Sequence, residues 1–123
     1  MGRSHAKSVV RGGGHAVCER CRIAETPLTR LRGLLGRARL RSDEGLLIRP
    51  TAAVHTCFMR FPIDAVFLDS NLVVVGVEAD LRPWRVAARR GAKAVLELAA
   101  GESQRRRIRT GERLLLADPL GAE

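Results

Sequence analysis

The chain has 123 residues, 46% of them hydrophobic and 28% charged, a composition ordinary for one globular domain. Its net charge of +9 favours association with polyanions. However, 20 of its 22 Lys and Arg residues are Arg, a bias that is also typical of a GC-rich genome and need not reflect a binding partner. Three cysteines, an odd number, argue against a disulfide framework. The longest apolar stretches, 65–68 and 72–77, are too short to span a membrane. With no apolar leader at its start, the chain is predicted to be cytoplasmic, without a membrane partner.

The first residues are polar and glycine-rich. Residues 1–15 hold three cations, no acid and the run Gly12 to Gly14, so we expect a flexible basic tail before a single globular domain at 16–120. Residues 16–24 mix β-branched and charged side chains, as an edge strand does. Thr26 and Pro27 then fit the start of a helix, and leucines at spacings of three and four extend it to about Gly36.

The rest of the chain has the periodicity of strands. Residues 46–48 form a strand that Pro50 ends, and three apolar runs at 54–59, 63–68 and 72–81 suit central positions in a sheet. Phe58 and Met59 are assigned to the core. An alternating strand at 92–99, a helical turn at 102–107 and a strand at 114–116 complete an α+β, mostly β fold, a compact β-barrel-like or strongly curved sheet with one short N-terminal helix.

One long motif resembles a known family. The stretch from Val54 to Asp69 reads VHTCFMRFPIDAVFLD; RGLLGR at 32–37 and EGLL at 44–47 precede it, and PW at 83–84, LEL at 96–98 and AG at 100–101 follow. This order resembles the bacterial and archaeal family called domain of unknown function 192, over about Val17 to Leu116. The resemblance implies a compact, mostly β fold and no established activity, so no catalytic residue is carried over. One departure is Cys57, where the family usually has an aromatic residue.

Asp64 is the most unusual residue of that stretch, because a carboxylate in an apolar strand must be paired or hydrogen-bonded. One interpretation has it accept backbone N–H groups after Pro62 or pair with an arginine such as Arg60. The other makes it a ligand-facing or acid/base group.

Other polar and aromatic residues are candidates for ligand contact. His55 and Thr56 begin a predicted strand, where they either bond to backbone or look into the mouth of a cavity. Trp84, the single tryptophan, either covers the end of the sheet or, beside Arg85, marks a binding rim.

Metal and hydrolase sites have weaker support. Cys18, Cys21, His55 and Cys57 are soft ligands, but residues three apart in a strand point to opposite faces, so we predict no metal and no cofactor. Glu97 is expected to pair with an arginine; a two-carboxylate hydrolase with Asp64 is the alternative.

Three stretches, 30–41, 82–93 and 105–109, carry arginines or lysine and no acid. They form either a solvated surface or, if they converge, an anion-binding face, although aromatic residues for base stacking are almost lacking apart from Trp84.

The sequence therefore favours a non-catalytic domain that binds a polar or anionic small ligand. Its candidate pocket residues are His55, Thr56, Arg60, Asp64, Trp84 and Arg85. The alternative is a basic surface that docks weakly and without specificity on nucleic acid or another polyanion, and an unrecognised hydrolase is a third hypothesis.

Overall fold

Short strands rich in Val, Ile and Leu build the protein. In the computed structural model, which describes residues 6–26, 29, 33, 34 and 36–118, nine strands and one helical turn are formed. The strands are β1 (Ala6–Arg11), β2 (Ala16–Ala24), β3 (Glu44–Ile48), β4 (Ala53–His55), β5 (Ile63–Leu68), β6 (Val74–Leu81), β7 (Val86–Ala88), β8 (Ala94–Ala99) and β9 (Leu114–Ala117), and the turn is α1 (Glu102–Arg105).

Most strands join one sheet, in the order β6-β5-β8-β3-β2-β1-β9. Neighbours are antiparallel except β2 and β3, which are parallel and are connected by a crossover through residues 25–43. Strands β4 and β7 form a separate antiparallel pair. The α+β, mostly β prediction is confirmed.

The sheet curves until its two edge strands nearly meet. Val73 and Arg113 form an isolated bridge, and the Val74 N–H donates to the Glu112 carbonyl at 2.8 Å. Along the described residues of β6 and β9 this contact does not extend into a ladder, so the sheet is not closed into a barrel.

The sheet buries apolar side chains on both faces. Strand β5 is buried along its whole length, with Val66 and Leu68 packed into one cluster and Ala65 and Phe67 into the other. The neighbouring strand β8 alternates in the same way. Of the three apolar runs predicted to be central, 63–68 is confirmed as β5, whereas 72–81 forms the edge strand β6 and 54–59 contributes only β4, outside the main sheet, so the prediction is wrong for these two.

The N-terminal tail prediction is wrong for residues 6–15. Strand β1 pairs with β2 on one side and β9 on the other, and Val9 is buried. Polar residues are tolerated here because Arg11 pairs with Glu112 and the Ser8 hydroxyl donates to the Glu19 carbonyl. Residues 1–5 lie outside the described residues. With β1 beside it, β2 is an interior strand rather than the predicted edge.

Two other predictions have partial outcomes. The Thr29 N–H donates to Thr26 Oγ1 at 3.1 Å, which is the cap expected at Thr26, but most of the predicted helix lies outside the described residues. The strand predicted at 54–59 is shorter, because the chain leaves β4 after His55. Among the described residues, no helix has the length and apolarity to cross a bilayer.

Truncating Val9 tests whether β1 belongs to the core. Val9→Ala should lower the free energy of unfolding by about 2 kcal/mol, because buried carbon atoms are lost and a cavity remains. The matched control is Val86→Ala, whose side chain is 71% exposed and whose loss should change stability by less than about 0.5 kcal/mol. Urea denaturation measures both, and equal small effects would show that β1 does not pack as described.

Candidate functional site

Thr56 fastens together the two loops that form the candidate site, the loop after β4 and the loop between β6 and β7. Its Oγ1 donates to the Arg82 carbonyl at 2.5 Å and accepts the Arg85 N–H at 2.9 Å. The backbones add two bonds, from the Thr56 N–H to the Arg85 carbonyl and from the Trp84 N–H to the Thr56 carbonyl. Thr56 is fully buried, so its hydroxyl holds the loops and does not face a ligand.

Each loop presents one aromatic side chain to solvent. Phe58 is 72% exposed and Trp84 58%, and their ring centroids lie 4.6 Å apart at an interplanar angle of 59°. Both residues have left-handed backbone conformations, with φ of 67° and 66°. Bulky residues rarely adopt this conformation, and such strain is concentrated at functional sites.

Arginines flank this aromatic pair. Arg60 follows Phe58 by two residues, while Arg82 and Arg85 lie on either side of Trp84, and all three are exposed. Arg82 reaches Asp80 at 3.7 Å, a long and exposed ion pair that leaves its guanidinium available to a stronger anion. We call Phe58, Arg60, Arg82, Trp84 and Arg85 the aromatic–arginine surface.

An open groove of about 520 Å³ continues from this surface between the end of β6 and β7. Arg82 and Arg85 belong to both features. The far wall is Arg89, whose guanidinium lies 5.4 Å from the centroid of the Phe67 ring and donates to the Val77 carbonyl at 3.3 Å. A side chain at Gly76 would collide with Arg89, so the glycine permits this close approach. The groove is lined by Glu78, Asp80, Leu81, Arg82, Arg85, Val86, Ala87, Ala88 and Arg89.

The structure brings together only part of the set predicted from the sequence. Arg60, Trp84 and Arg85 are exposed, as is His55, whose Nδ1 accepts the Cys57 N–H at 3.3 Å. Thr56 is buried, as described above. Phe58 was assigned to the core, and this is wrong, whereas Met59 beside it is buried as expected. No signal in the sequence distinguished these neighbours, because the difference arises from the turn in which the Met59 N–H bonds to the Thr56 carbonyl.

Asp64 is fully buried, on the face of β5 opposite Ala65, and receives four hydrogen bonds. Its Oδ1 accepts the Asp80 N–H at 2.9 Å. Its Oδ2 accepts the Gly101 N–H at 3.1 Å, the Ser103 N–H at 2.8 Å and the Ser103 hydroxyl at 2.6 Å. Asp64 thus accepts backbone N–H groups, as one interpretation predicted, but among the described residues the donors lie on β6 and at the start of α1 rather than at the bend after Pro62 or on Arg60. These bonds occupy the carboxylate within the protein.

Asp64→Ala should lower the free energy of unfolding by about 2–4 kcal/mol, because four donors lose their acceptor in a buried place. Asp64→Asn should have a smaller effect, since its amide oxygen can still accept from one side. Asp118→Asn is the control, because that carboxylate is exposed and pairs only with Lys7 among the described residues. Thermal or urea unfolding measures all three, and wild-type stability of both Asp64 variants would contradict a structural role.

Glu97 lies on the other face of the sheet, opposite Leu46 of β3 and Ala65 of β5. It is buried, and no described residue supplies the predicted arginine partner or another hydrogen bond to its carboxyl group. Burial raises its pKa from 4.5 to about 8. Because Asp64 and Glu97 lie on opposite faces of the sheet, they do not form the two-carboxylate site considered above.

The free energy of unfolding should therefore depend on pH through Glu97. The folded protein holds this proton more tightly than the unfolded chain, so the stabilisation is complete below about pH 4.5 and is lost as the pH rises through about 8. The loss is on the order of 1 kcal/mol per pH unit within that window.

Urea denaturation from pH 4.5 to 8.5 measures this loss. Glu97→Gln should flatten the profile, because glutamine has no proton to lose, whereas the exposed control Glu25→Gln should keep the parent slope. Identical profiles for the parent and Glu97→Gln would show that Glu97 does not titrate as described.

Cys18 and Cys21 are both buried in the same apolar cluster. The argument that residues three apart face opposite ways is wrong here, because the pairing of β1 with β2 shifts register between Lys7 and Val9. A hydrogen bond to the Cys18 side chain, together with burial, raises the pKa of the Cys21 thiol. Within the described residues no group of three or more His, Cys, Asp or Glu could hold a metal. The absence of zinc stays a prediction.

Two of the four arginines in the basic stretch at 105–109 make internal contacts, whereas Arg107 and Arg109 are exposed. Arg105 and Arg106 both pair with Glu102, at 2.6 and 3.0 Å, and Arg106 also pairs with Glu19 at 2.9 Å. Arg106 further donates to the Ser42 carbonyl, so it ties α1 to the loop before β3. These contacts hold the fold, in contrast to the arginines of the 82–93 stretch that flank Trp84.

Comparison with known proteins gives the chain a family and a fold. The profile of the family described as DUF192, "Uncharacterized ACR", matches residues 8–116. A UPF0127 protein of Pyrococcus furiosus is 40% identical over 67 residues, 54% of this chain and 57% of that protein. A UPF0127 protein of Thermococcus sibiricus is 34% identical over 87 residues, 67% of this chain and 56% of that protein. The chain thus spans a little over half the length of the curated relatives it matches.

Two crystal structures have the same fold. A candidate transcription regulator from Sinorhizobium meliloti superposes with a TM-score of 0.80 at 23% identity, covering 94% of this chain and 98% of that chain. A protein of unknown function from Novosphingobium aromaticivorans superposes with a TM-score of 0.78 at 24% identity, covering 91% and 84%. At these identities the likeness shows the fold alone.

Proposed function

The chain belongs to the DUF192 family, and we propose that it is a non-catalytic module that binds an anionic ligand through the aromatic–arginine surface. The observation that carries this proposal is the pair of exposed rings, Phe58 and Trp84, held in strained backbone between exposed arginines. Exposed aromatic rings beside guanidinium groups suit a flat ligand that bears negative charge, since the ring face stacks and the arginines bind the charge.

The polar residues near the surface support binding rather than catalysis. The Thr56 hydroxyl is already hydrogen-bonded to the Arg82 carbonyl and the Arg85 N–H, and Asp64 accepts four internal hydrogen bonds. A general base or nucleophile needs a free lone pair within reach of the ligand. His55 is the one sequence-predicted candidate with a ring nitrogen not used by the described contacts, and it stands without a carboxylate partner among the described residues.

Docking of the whole basic surface on a polyanion is a second candidate, based on the net charge of +9. It has less support, because several arginines of the described residues pair with acids of the same chain. Among the described residues these pairs are Arg11 with Glu112, Arg37 with Glu44, Arg41 with Asp43, Arg49 with Glu25, Arg82 with Asp80, Arg89 with Glu78, Arg105 with Glu102, and Arg106 with Glu19 and Glu102.

Trp84 is the single tryptophan and therefore reports directly on this surface. We expect adenosine monophosphate to change its fluorescence with a Kd of roughly 0.1–1 mM, the affinity of one stacked ring with one charged contact. Adenosine and inorganic phosphate should each bind more weakly, because each offers half of the interaction.

Two variants test which residues bind. Phe58→Asn removes the ring and suits the left-handed backbone better than other side chains do, and Arg85→Ala removes a cation; each should weaken binding about fivefold or more. Leu115→Ala, also exposed but on β9, is the control and should bind like the parent. The proposal fails if none of the three probes affects Trp84, or if both surface variants bind adenosine monophosphate as the parent does.

A further inference from the structure

We propose that the ligand of the aromatic–arginine surface is single-stranded nucleic acid, an inference that rests on the proposed function and names its ligand class. Bases in a single strand expose their ring faces, which stack on aromatic side chains. Phe58 and Trp84 offer such rings at 72% and 58% exposure. Their ring planes are inclined at 59°, so the exposed faces of the two rings point in different directions.

The arginines are arranged for a chain of phosphates rather than for one. Arg60 lies on the loop of Phe58, whereas Arg82 and Arg85 lie on the loop of Trp84, so each of the two loops carries exposed cations. Arg82 and Arg85 also line the open groove, which continues away from the rings toward Arg89. Arg82 and Arg85 therefore offer guanidinium groups to the backbone of a strand whose base stacks on the rings, whereas Arg89 already pairs with Glu78 at 3.4 Å.

The surface lacks the amide side chains that read adenine, and of the side chains that read base edges it offers only arginine, which pairs with guanine. Asn and Gln recognise adenine through paired hydrogen bonds, and the whole chain contains one of each, Asn71 and Gln104, neither of which belongs to the surface or lines the groove. Binding should accordingly tolerate different sequences, apart from a preference for guanine where an arginine pairs with it. A duplex should bind less well, because its bases are stacked on one another and cannot reach Phe58 or Trp84.

Fluorescence anisotropy with labelled oligothymidylate of about 12 nucleotides tests this. At low salt it should bind at least about tenfold more tightly than thymidine monophosphate, and a duplex of the same length should bind more weakly than the single strand. The logarithm of the association constant should fall with the logarithm of salt with a slope of about −2, for three arginine contacts at about −0.7 each.

The variants separate stacking from charge. Phe58→Asn should weaken oligonucleotide binding about fivefold or more with an unchanged salt slope, whereas Arg85→Ala should make the slope shallower by about 0.7. Arg113→Ala is the matched control. This exposed arginine pairs with Val73, next to the start of β6, whereas the groove lies at the end of β6. The variant should keep the parent affinity within about twofold.

Three results would overturn the inference. One is a duplex that binds as tightly as the single strand, another is polyglutamate that competes as well as oligothymidylate, and the third is an Arg113→Ala effect equal to that of Arg85→Ala. Each indicates general attraction of polyanions. If oligonucleotide binds no more tightly than the mononucleotide while adenosine monophosphate still binds through Phe58 and Arg85, the inference fails and the proposed function stands.

Discussion

Four hydrogen bonds to one buried carboxylate hold the parts that carry the candidate site. Asp64 binds the backbone of α1 through Gly101 and Ser103 and the backbone of β6 through Asp80. Strand β6 has one more residue than β5 between the pairs Ile63 with Leu81 and Ala65 with Glu78, and Asp80 in that bulge has a φ of 53°. The bulge turns the chain toward the loop that ends at Trp84. The buried carboxylate thus holds the end of β6 from which the 82–85 loop starts.

The 82–85 loop and its bonds to Thr56 explain how Phe58 and Trp84 are held in strained backbone conformations. Phe58 and Trp84 contribute exposed rings, so the stability of the fold does not require their left-handed conformations. The hydroxyl of Thr56 holds the 82–85 loop that carries Trp84, and the carbonyl of Thr56 accepts the Met59 N–H, which closes the turn that carries Phe58. An arrangement in which one buried threonine supports two exposed rings resembles the general design of binding sites, where the supporting groups are rigid and the contacting groups are accessible.

Sequence reasoning worked where a residue's environment is set by its own strand. The apolar run of β5, the alternation of β8 and the helical turn at Glu102 follow from local pattern, and the apolar neighbours of Asp64 predicted that its carboxylate is hydrogen-bonded, although not that the donors lie on β6 and at the start of α1. It failed where the environment is set by distant segments. Strand β1 is polar enough to resemble a tail because its stabilisation comes from two neighbouring strands, and the exposure of Phe58 depends on a turn fastened to the 82–85 loop. The face of Cys18 depends on a register shift, which no spacing rule encodes.

The position of β1 between β2 and β9 has a consequence for how the chain acquires its structure. The hairpin of β1 and β2 closes over a short turn at 12–15, but the other edge of β1 has no partner until β9, whose Ala117 pairs with Ser8, has been synthesised. During synthesis this edge stays unpaired until nearly all of the described residues have been made, and contacts of such long separation slow folding. Lys7 and Arg11, both of which later pair with acids near β9, place positive charge along that unpaired edge. Charge on an open strand edge discourages pairing with another chain, so the two cations that form ion pairs in the folded protein also protect the nascent one from aggregation.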